Sequence, residues 1–390
     1  MTATTSSAAI VEAVRSVVGT SEKISLHEPE FDGSEWQYVK ECLDSGWVSS
    51  VGKYVDRFES DLAAFTGAAH AVAIVNGTAA LHLCLKLTGV ERNDEVLLPA
   101  LTFIATANAV SYCDATPHFC DVDDLTLGLD AEKLKRHLQE NAELRAGQCF
   151  NRNTGARIRA IVPMHTFGHP VDMDSLIEVA DRYRLVVIED AAESLGSIYK
   201  GRHAGTLGKL GALSFNGNKI VTTGGGGAIL TNDGELARAA KHLSTTARVA
   251  HKWSFLHDAI GYNYRMPNIN AALGVAQLEG LGGFIARKRM LADAYKHAFE
   301  PVPGVRFFSE PSFARSNYWL NAIMLDDENG ASRDEVLQAL NDDGLMARPV
   351  WTLMNQLPMY DACPAMDLSC AERIERRLVN LPSSASLGNS

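Results

Sequence analysis

Leu185-Val186-Val187-Ile188-Glu189-Asp190-Ala191-Ala192-Glu193 is an apolar, largely β-branched run that ends abruptly in acids. A run of this kind, bounded by polar residues, predicts a buried strand over 185–189. Asp190 then stands at the carboxyl end of the strand, the edge where open α/β sheets place their ligands. The alternative is a helix N-cap, and both roles can coexist. Glu193, three residues on, either faces the same site or acts as a capping-box partner.

Outward from this stretch the chain alternates short apolar runs with helical segments. Strands are expected at 71–75, 95–98, 116–121, 159–163, 185–189, 212–215 and 228–231. The alternation predicts an α/β fold, with a mainly parallel seven-stranded sheet flanked by helices in a large domain and a smaller α+β domain at the C-terminus. At 390 residues the chain exceeds one typical core, which supports the division. We expect a loosely held leader over 1–24 with one short helix, a large domain over 25–260, a hinge near 261–267 and a small domain over 261–390. Hydrophobic residues at 46% and charged residues at 21% exclude a disordered or fibrous chain. A formal charge of −11 argues against nucleic acid as the main partner. Seven cysteines without a CxxC pair argue against a disulfide framework. No stretch reads as a signal peptide or reaches membrane-spanning length, so a cytoplasmic protein without membrane contact is expected.

The second informative stretch is Ser214-Phe215-Asn216-Gly217-Asn218-Lys219-Ile220-Val221-Thr222-Thr223, followed by glycines 224–227. A lone lysine between small polar residues suggests a Schiff-base lysine, the alternative being a surface lysine in a hairpin. Lysine together with an aspartate at a strand end reads as a site for pyridoxal 5′-phosphate (PLP). That cofactor demands an amine for its aldehyde, a carboxylate at its ring nitrogen, an aromatic face and donors for its phosphate. Lys219 and Asp190 answer the first two demands, with Glu193 beside them to touch the cofactor hydroxyl or position Asp190. Gly77-Thr78-Ala79 opens a helix after a strand, aiming backbone N–H groups and the positive dipole end at a phosphate. Ser214 offers a hydroxyl to the same phosphate, or is a strand-end serine. Phe103, after a strand and a proline-marked turn, is placed to stack on the ring. His165 and His169 bracket a turn with Gly168 and Pro170. That turn opposes the helix a metal pair would need, so no metal site is expected and His165 is a candidate pocket residue.

These segments resemble the PLP-dependent nucleotide-sugar aminotransferases, the DegT/StrS family with the aspartate aminotransferase fold (fold type I). The resemblance runs from Trp47-Val48-Ser49-Ser50 to Asn380-Leu381-Pro382-Ser383-Ser384, through Tyr262-Asn263-Tyr264-Arg265-Met266. It implies that Lys219 carries the cofactor, Asp190 pairs with the ring nitrogen, and Thr78, Ala79 and Ser214 hold the phosphate. It also implies that Asn263 reaches the cofactor of a neighbouring subunit, which makes the protein a homodimer with shared active sites. A narrower likeness, carried by 100–108, by Asn216 and by 348–354, is to enzymes that aminate C4 of UDP-linked 4-keto-6-deoxy-N-acetylglucosamine in legionaminic acid and bacillosamine routes. It implies L-glutamate as amino donor and a nucleotide-linked keto-sugar as acceptor, with GDP-perosamine-type or dTDP-sugar amination as the alternative. A PLP-dependent sugar dehydratase is disfavoured, because those relatives replace the lysine with histidine. Arg348 and Trp351 are candidates to contact the nucleotide or sugar, against a surface salt bridge for the first and core packing for the second.

Overall fold

The computed structural model describes residues 6–19, 23–326 and 332–389, so residues 1–5 and 20–22 of the expected leader lie outside the described residues. Read from one edge, the main sheet runs His70–Ile74, Gly227–Thr231, Leu210–Ser214, Val186–Asp190, Arg157–Ile161, Glu95–Pro99 and Thr116–Cys120. In this path Gly227–Thr231 alone is antiparallel to its neighbours. The seven expected strands are present. A hairpin of Ala142–Arg145 and Gln148–Asn151 also pairs onto Arg157–Ile161, bringing the sheet to nine strands. This hairpin is too polar to announce itself by hydrophobic alternation, and its turn at Ala146 and Gly147 has positive φ at both positions, as a two-residue hairpin turn requires.

The other six strands of the path point the same way, so their carboxyl ends share one edge. Asp190 ends there, and two helices start there: Gly77–Leu87 after His70–Ile74, and Ile104–Ser111 after Glu95–Pro99. Gly227 explains how the first of these helix starts sits so close to the sheet. A Cβ at this position would lie 2.6 Å from the Asn76 carbonyl carbon, so only glycine lets the two backbones approach.

A second, antiparallel sheet runs Val305–Phe307, Asn321–Leu325, Leu378–Leu381 and Arg348–Pro349. The N-terminal segment is not the loose leader expected. It holds the helix Ser7–Val18, whose Ile10, Ala13, Val14 and Val17 form one buried stripe against the second sheet and its helices. The helix is fixed at its start by the Ser6 hydroxyl, which accepts the Ala8 amide at 3.2 Å.

Nor is 261–267 a hinge. Val75 donates its amide to the Tyr264 carbonyl at 2.8 Å, and Arg265 binds the Ala73 carbonyl at 3.0 Å and Glu59 at 2.7 Å, so the segment lies along the edge of the main sheet. The passage between cores happens instead inside one helix, Asn268–Phe299. Its Ala271, Ala272 and Val275 join the core of the main sheet, while Leu291, Ala292, Tyr295 and Phe299 join that of the small sheet. By length and composition this helix could cross a membrane, against the expectation that no stretch reaches that length. Half of its most apolar window is buried in protein, and its apolarity serves those two cores.

Candidate active site

Asp190 is buried at the end of its strand, and no helix follows it, so it is not an N-cap. Its Oδ1 accepts the Ala192 amide at 3.2 Å within a turn, and its Oδ2 accepts the Thr106 hydroxyl at 2.6 Å. Thr106 spends its proton on that bond and has Thr102 Oγ1 2.9 Å behind it. Burial pushes the Asp190 carboxyl above its usual range, opposed by these donors and by the charge of Lys219. Such a carboxylate is primed for a buried cation or a protonated ring nitrogen.

Across the cavity, Lys219 lies in a loop tied down by reciprocal backbone bonds: Phe215 N to Gly226 O at 2.8 Å and Thr223 N to Phe215 O at 2.9 Å. The Lys219 Nζ donates to Glu193 Oε1 at 3.1 Å and sits 3.7 Å from the centroid of the Trp319 ring. The other oxygen of Glu193 accepts the Phe167 amide at 2.9 Å, which holds Phe167 in a left-handed conformation with φ 56°. Glu193 is therefore no capping-box partner. Burial raises its carboxyl above the usual range, against the pull of Lys219.

The helix Gly77–Leu87 aims its first turn at the same cavity. Asn76 caps it by accepting the Ala79 amide at 2.8 Å, which removes Ala79 as a phosphate donor; Ala79 is buried behind the cap. Gly77 and Thr78 line the cavity with Ser214. Gly77 lies so close that a Cβ there would meet the Ser214 Cβ at 2.8 Å and its hydroxyl at 3.2 Å.

These groups surround one cavity of about 320 Å³, with Phe103 and Trp351 also in its wall. Phe103 is 47% exposed and its ring centroid is 6.1 Å from that of Trp351. The remaining candidates fall elsewhere. His165 is buried outside the cavity wall: the Val171 amide donates to Nδ1 at 3.2 Å, so the ring proton is on Nε2 and goes to Glu189 at 2.9 Å. Glu189 also accepts the amides of Gly205, Leu207 and Gly208 at 2.6 to 2.7 Å. His165 thus braces the loop behind Asp190 instead of lining the pocket, and its backbone N–H donates to the Asp190 carbonyl at 3.1 Å. His169 packs edge-on against Phe308 and Tyr318. Arg348 is exposed and bonds Asn341 Oδ1 at 3.2 Å, away from the cavity. Asn263 is exposed and lies outside the cavity of its own chain. A larger cavity, about 780 Å³ around Trp47, Tyr54 and Asn268, contains none of the site residues.

Residues 29–390 match the DegT/DnrJ/EryC1/StrS aminotransferase family. The chain belongs to that family. This aminotransferase is 38% identical to a GDP-perosamine synthase of Escherichia coli O157:H7 over 94% of both chains, and 39% identical to one of Caulobacter vibrioides, again over 94% of both. In structure it is similar to the aminotransferase TlmJ of Streptoalloteichus hindustanus, with a TM-score of 0.83 and 30% identity over 93% of each chain. Both relatives are named for GDP-perosamine, which was the alternative in the sequence reading, and neither is named for the UDP-linked sugars of its narrower likeness. The enzyme is a PLP-dependent sugar aminotransferase of fold type I. The cavity fits the cofactor: an amine on one wall, a buried acid for the ring nitrogen, and a helix start whose glycine packs directly against Ser214.

Proposed function

We propose that this aminotransferase moves the amino group of L-glutamate to the C4 ketone of a GDP-linked 4-keto-6-deoxyhexose, as a GDP-perosamine synthase. One observation carries the aminotransferase chemistry: a lysine amine and a buried aspartate face each other across a cavity that a helix N-terminus also enters. The names of the two bacterial relatives favour the GDP-linked sugar over the UDP-linked 2-acetamido sugar.

Bound PLP supplies an electron sink for carbanionic character at the amino-bearing carbon. Around it, Lys219 would hold the cofactor through its amine and, when free, would carry the proton that the amino transfer requires. Asp190 keeps the ring nitrogen charged, with Thr106 holding the carboxylate in place. The first-turn N–H groups of Gly77 and Thr78 and the Ser214 hydroxyl receive the phosphate. Phe103 and Trp351 close the cavity on its aromatic side, and binding of the remote nucleotide lowers the barrier at C4. Asn263, exposed on its own chain, serves the cofactor of a second copy. Exposed Trp253, Phe255 and Ile260 nearby in the chain support a homodimer that covers them. A nucleotide-linked substrate supports a cytoplasmic enzyme.

The test is to offer GDP-, UDP- and dTDP-linked 4-keto-6-deoxysugars with L-glutamate and follow 2-oxoglutarate. Turnover with the GDP-linked sugar is expected, and none in Lys219→Ala. Turnover with the UDP- or dTDP-linked sugar alone would overturn the GDP assignment, and no product from any of the three would overturn the acceptor class.

A further inference from the structure

Ser316-Asn317-Tyr318-Trp319 enters the small sheet from the far side of the cavity, about a hundred residues after Lys219 in the chain. Three bonds immobilise Trp319. Its amide donates to Asn317 Oδ1 at 2.8 Å, its indole Nε1 donates to the Asn218 carbonyl at 2.8 Å, and its own carbonyl accepts the buried Lys288 amine at 3.2 Å. Asn317 in turn donates to the Glu193 carbonyl at 2.9 Å, so the ring and the acid that flank Lys219 are tied to one another. The result is a two-sided seat: indole face on one side of the amine, carboxylate on the other, both buried.

We propose that Trp319 is a catalytic residue of this enzyme: its indole face, locked by Asn317, Asn218 and Lys288, receives the Lys219 amine whenever that amine is released from the cofactor and stabilises its proton-loaded form. The proposal rests on the reading of Lys219 as the lysine that carries the cofactor. Chemically the seat acts on proton transfer alone. Lys219 Nζ takes a proton from one carbon and returns it to the other, with no net oxidation, and an ammonium over an indole face is favoured over the neutral amine. Lys288 is a positioning residue. It bonds the Trp319 and Ser383 carbonyls, and burial lowers its pKa to about 7, which reduces the charge behind the ring at neutral pH without removing it.

The experiment uses the full-length enzyme converted by glutamate to its pyridoxamine phosphate form, in which Lys219 is free. Acylation of Lys219 by an amine reagent is followed by peptide mass spectrometry at about pH 7 and about pH 10.5. The ratio of the two rates cancels changes in accessibility and reports how strongly the ammonium is held. Trp319→Leu is expected to raise that ratio on the order of five-fold, from the size of a partly buried cation–π contact, and Trp319→Phe by less. Lys288→Met should raise it in the wild-type background and add nothing once Trp319 is leucine. A ratio within about two-fold of wild type in both Trp319 variants would overturn the seat, and full additivity of Lys288→Met would overturn its role through Trp319. Borohydride reduction of the PLP form is read separately: absence of a cofactor adduct on Lys219 sinks the underlying assignment, whereas an adduct with an unchanged labelling ratio sinks only the seat.

Discussion

Thr106→Val removes one hydroxyl and keeps the side-chain shape, which makes it the cleanest probe of Asp190. The Thr106 Oγ1 to Asp190 Oδ2 distance of 2.6 Å is the ordinary length for a hydroxyl bound to a carboxylate, and both residues are buried. A hydrogen bond to a charged group contributes about 1.5–3 kcal/mol, and one pH unit corresponds to about 1.36 kcal/mol, so the loss amounts to about 1–2 pH units. The sign follows from the charge. The donor favours the anion, and burial already pushes this carboxyl up, so losing the donor pushes it further in the same direction. Activity that needs the carboxylate then fails at a higher pH. The assay is the glutamate half-reaction, followed as loss of the PLP absorbance over a pH series. The acid limb of its rate should move upward by about 1–2 units in Thr106→Val and stay near wild type in Thr106→Ser. A valine variant that binds cofactor normally and shows an unmoved acid limb would refute the assignment of Asp190 as the titrating partner of the cofactor.

Gly77→Ala should lower PLP affinity by about ten-fold in a cofactor titration, because the new methyl meets the Ser214 side chain at 2.8 Å and displaces a phosphate donor. Gly168→Ala should destabilise the fold by at least about 3 kcal/mol in urea unfolding: its φ is +95° and the Cβ would lie 1.8 Å from Asn317 Oδ1. Two buried histidines predict loss of stability on mild acidification. Burial lowers His169 to about 3 and His203 to about 4, and His203 Nε2 already accepts the Gly196 amide at 2.7 Å, leaving no room for a second ring proton. The unfolded chain protonates near pH 6.5, so stability is full above that value and falls as pH drops toward 4. At pH 5 each histidine costs about 2 kcal/mol, to be read from urea midpoints at pH 7 and 5, with His169→Phe showing the smaller drop.

How much of this was legible in the sequence depends on how far apart in the chain the cooperating residues lie. The strand ending at Asp190, the helix opening at Gly77 and the loop around Lys219 are each local patterns, and each sits where its pattern placed it. The roles that moved were set by hydrogen bonds that no local pattern announces. Ala79 loses its amide to the Asn76 cap one turn below. His165 turns away from the cavity, with its Nε2 bound to the Glu189 carboxylate. Arg348 lies on the short strand Arg348–Pro349 and reaches back to Asn341.

Thr106 and Trp319 were missed for different reasons, and the difference is instructive about where sequence reading stops. Thr106 lay inside the segment 100–108, in the first turn of the helix Ile104–Ser111; its contact with Asp190 needed only the knowledge that Glu95–Pro99 and Val186–Asp190 flank Arg157–Ile161 in the sheet. The order of strands would have found it. Trp319 lies two residues before the strand Asn321–Leu325 of the second sheet, and Lys288 on the Asn268–Phe299 helix helps brace the segment from which its ring reaches Lys219. That helix also makes the two cores interdependent. Its buried Lys288 bonds the Trp319 carbonyl and the Ser383 carbonyl just after the strand Leu378–Leu381, so the brace behind the seat for the catalytic amine is complete only with the small sheet in place. Cofactor binding and docking of the small sheet should for that reason report on the same folding step.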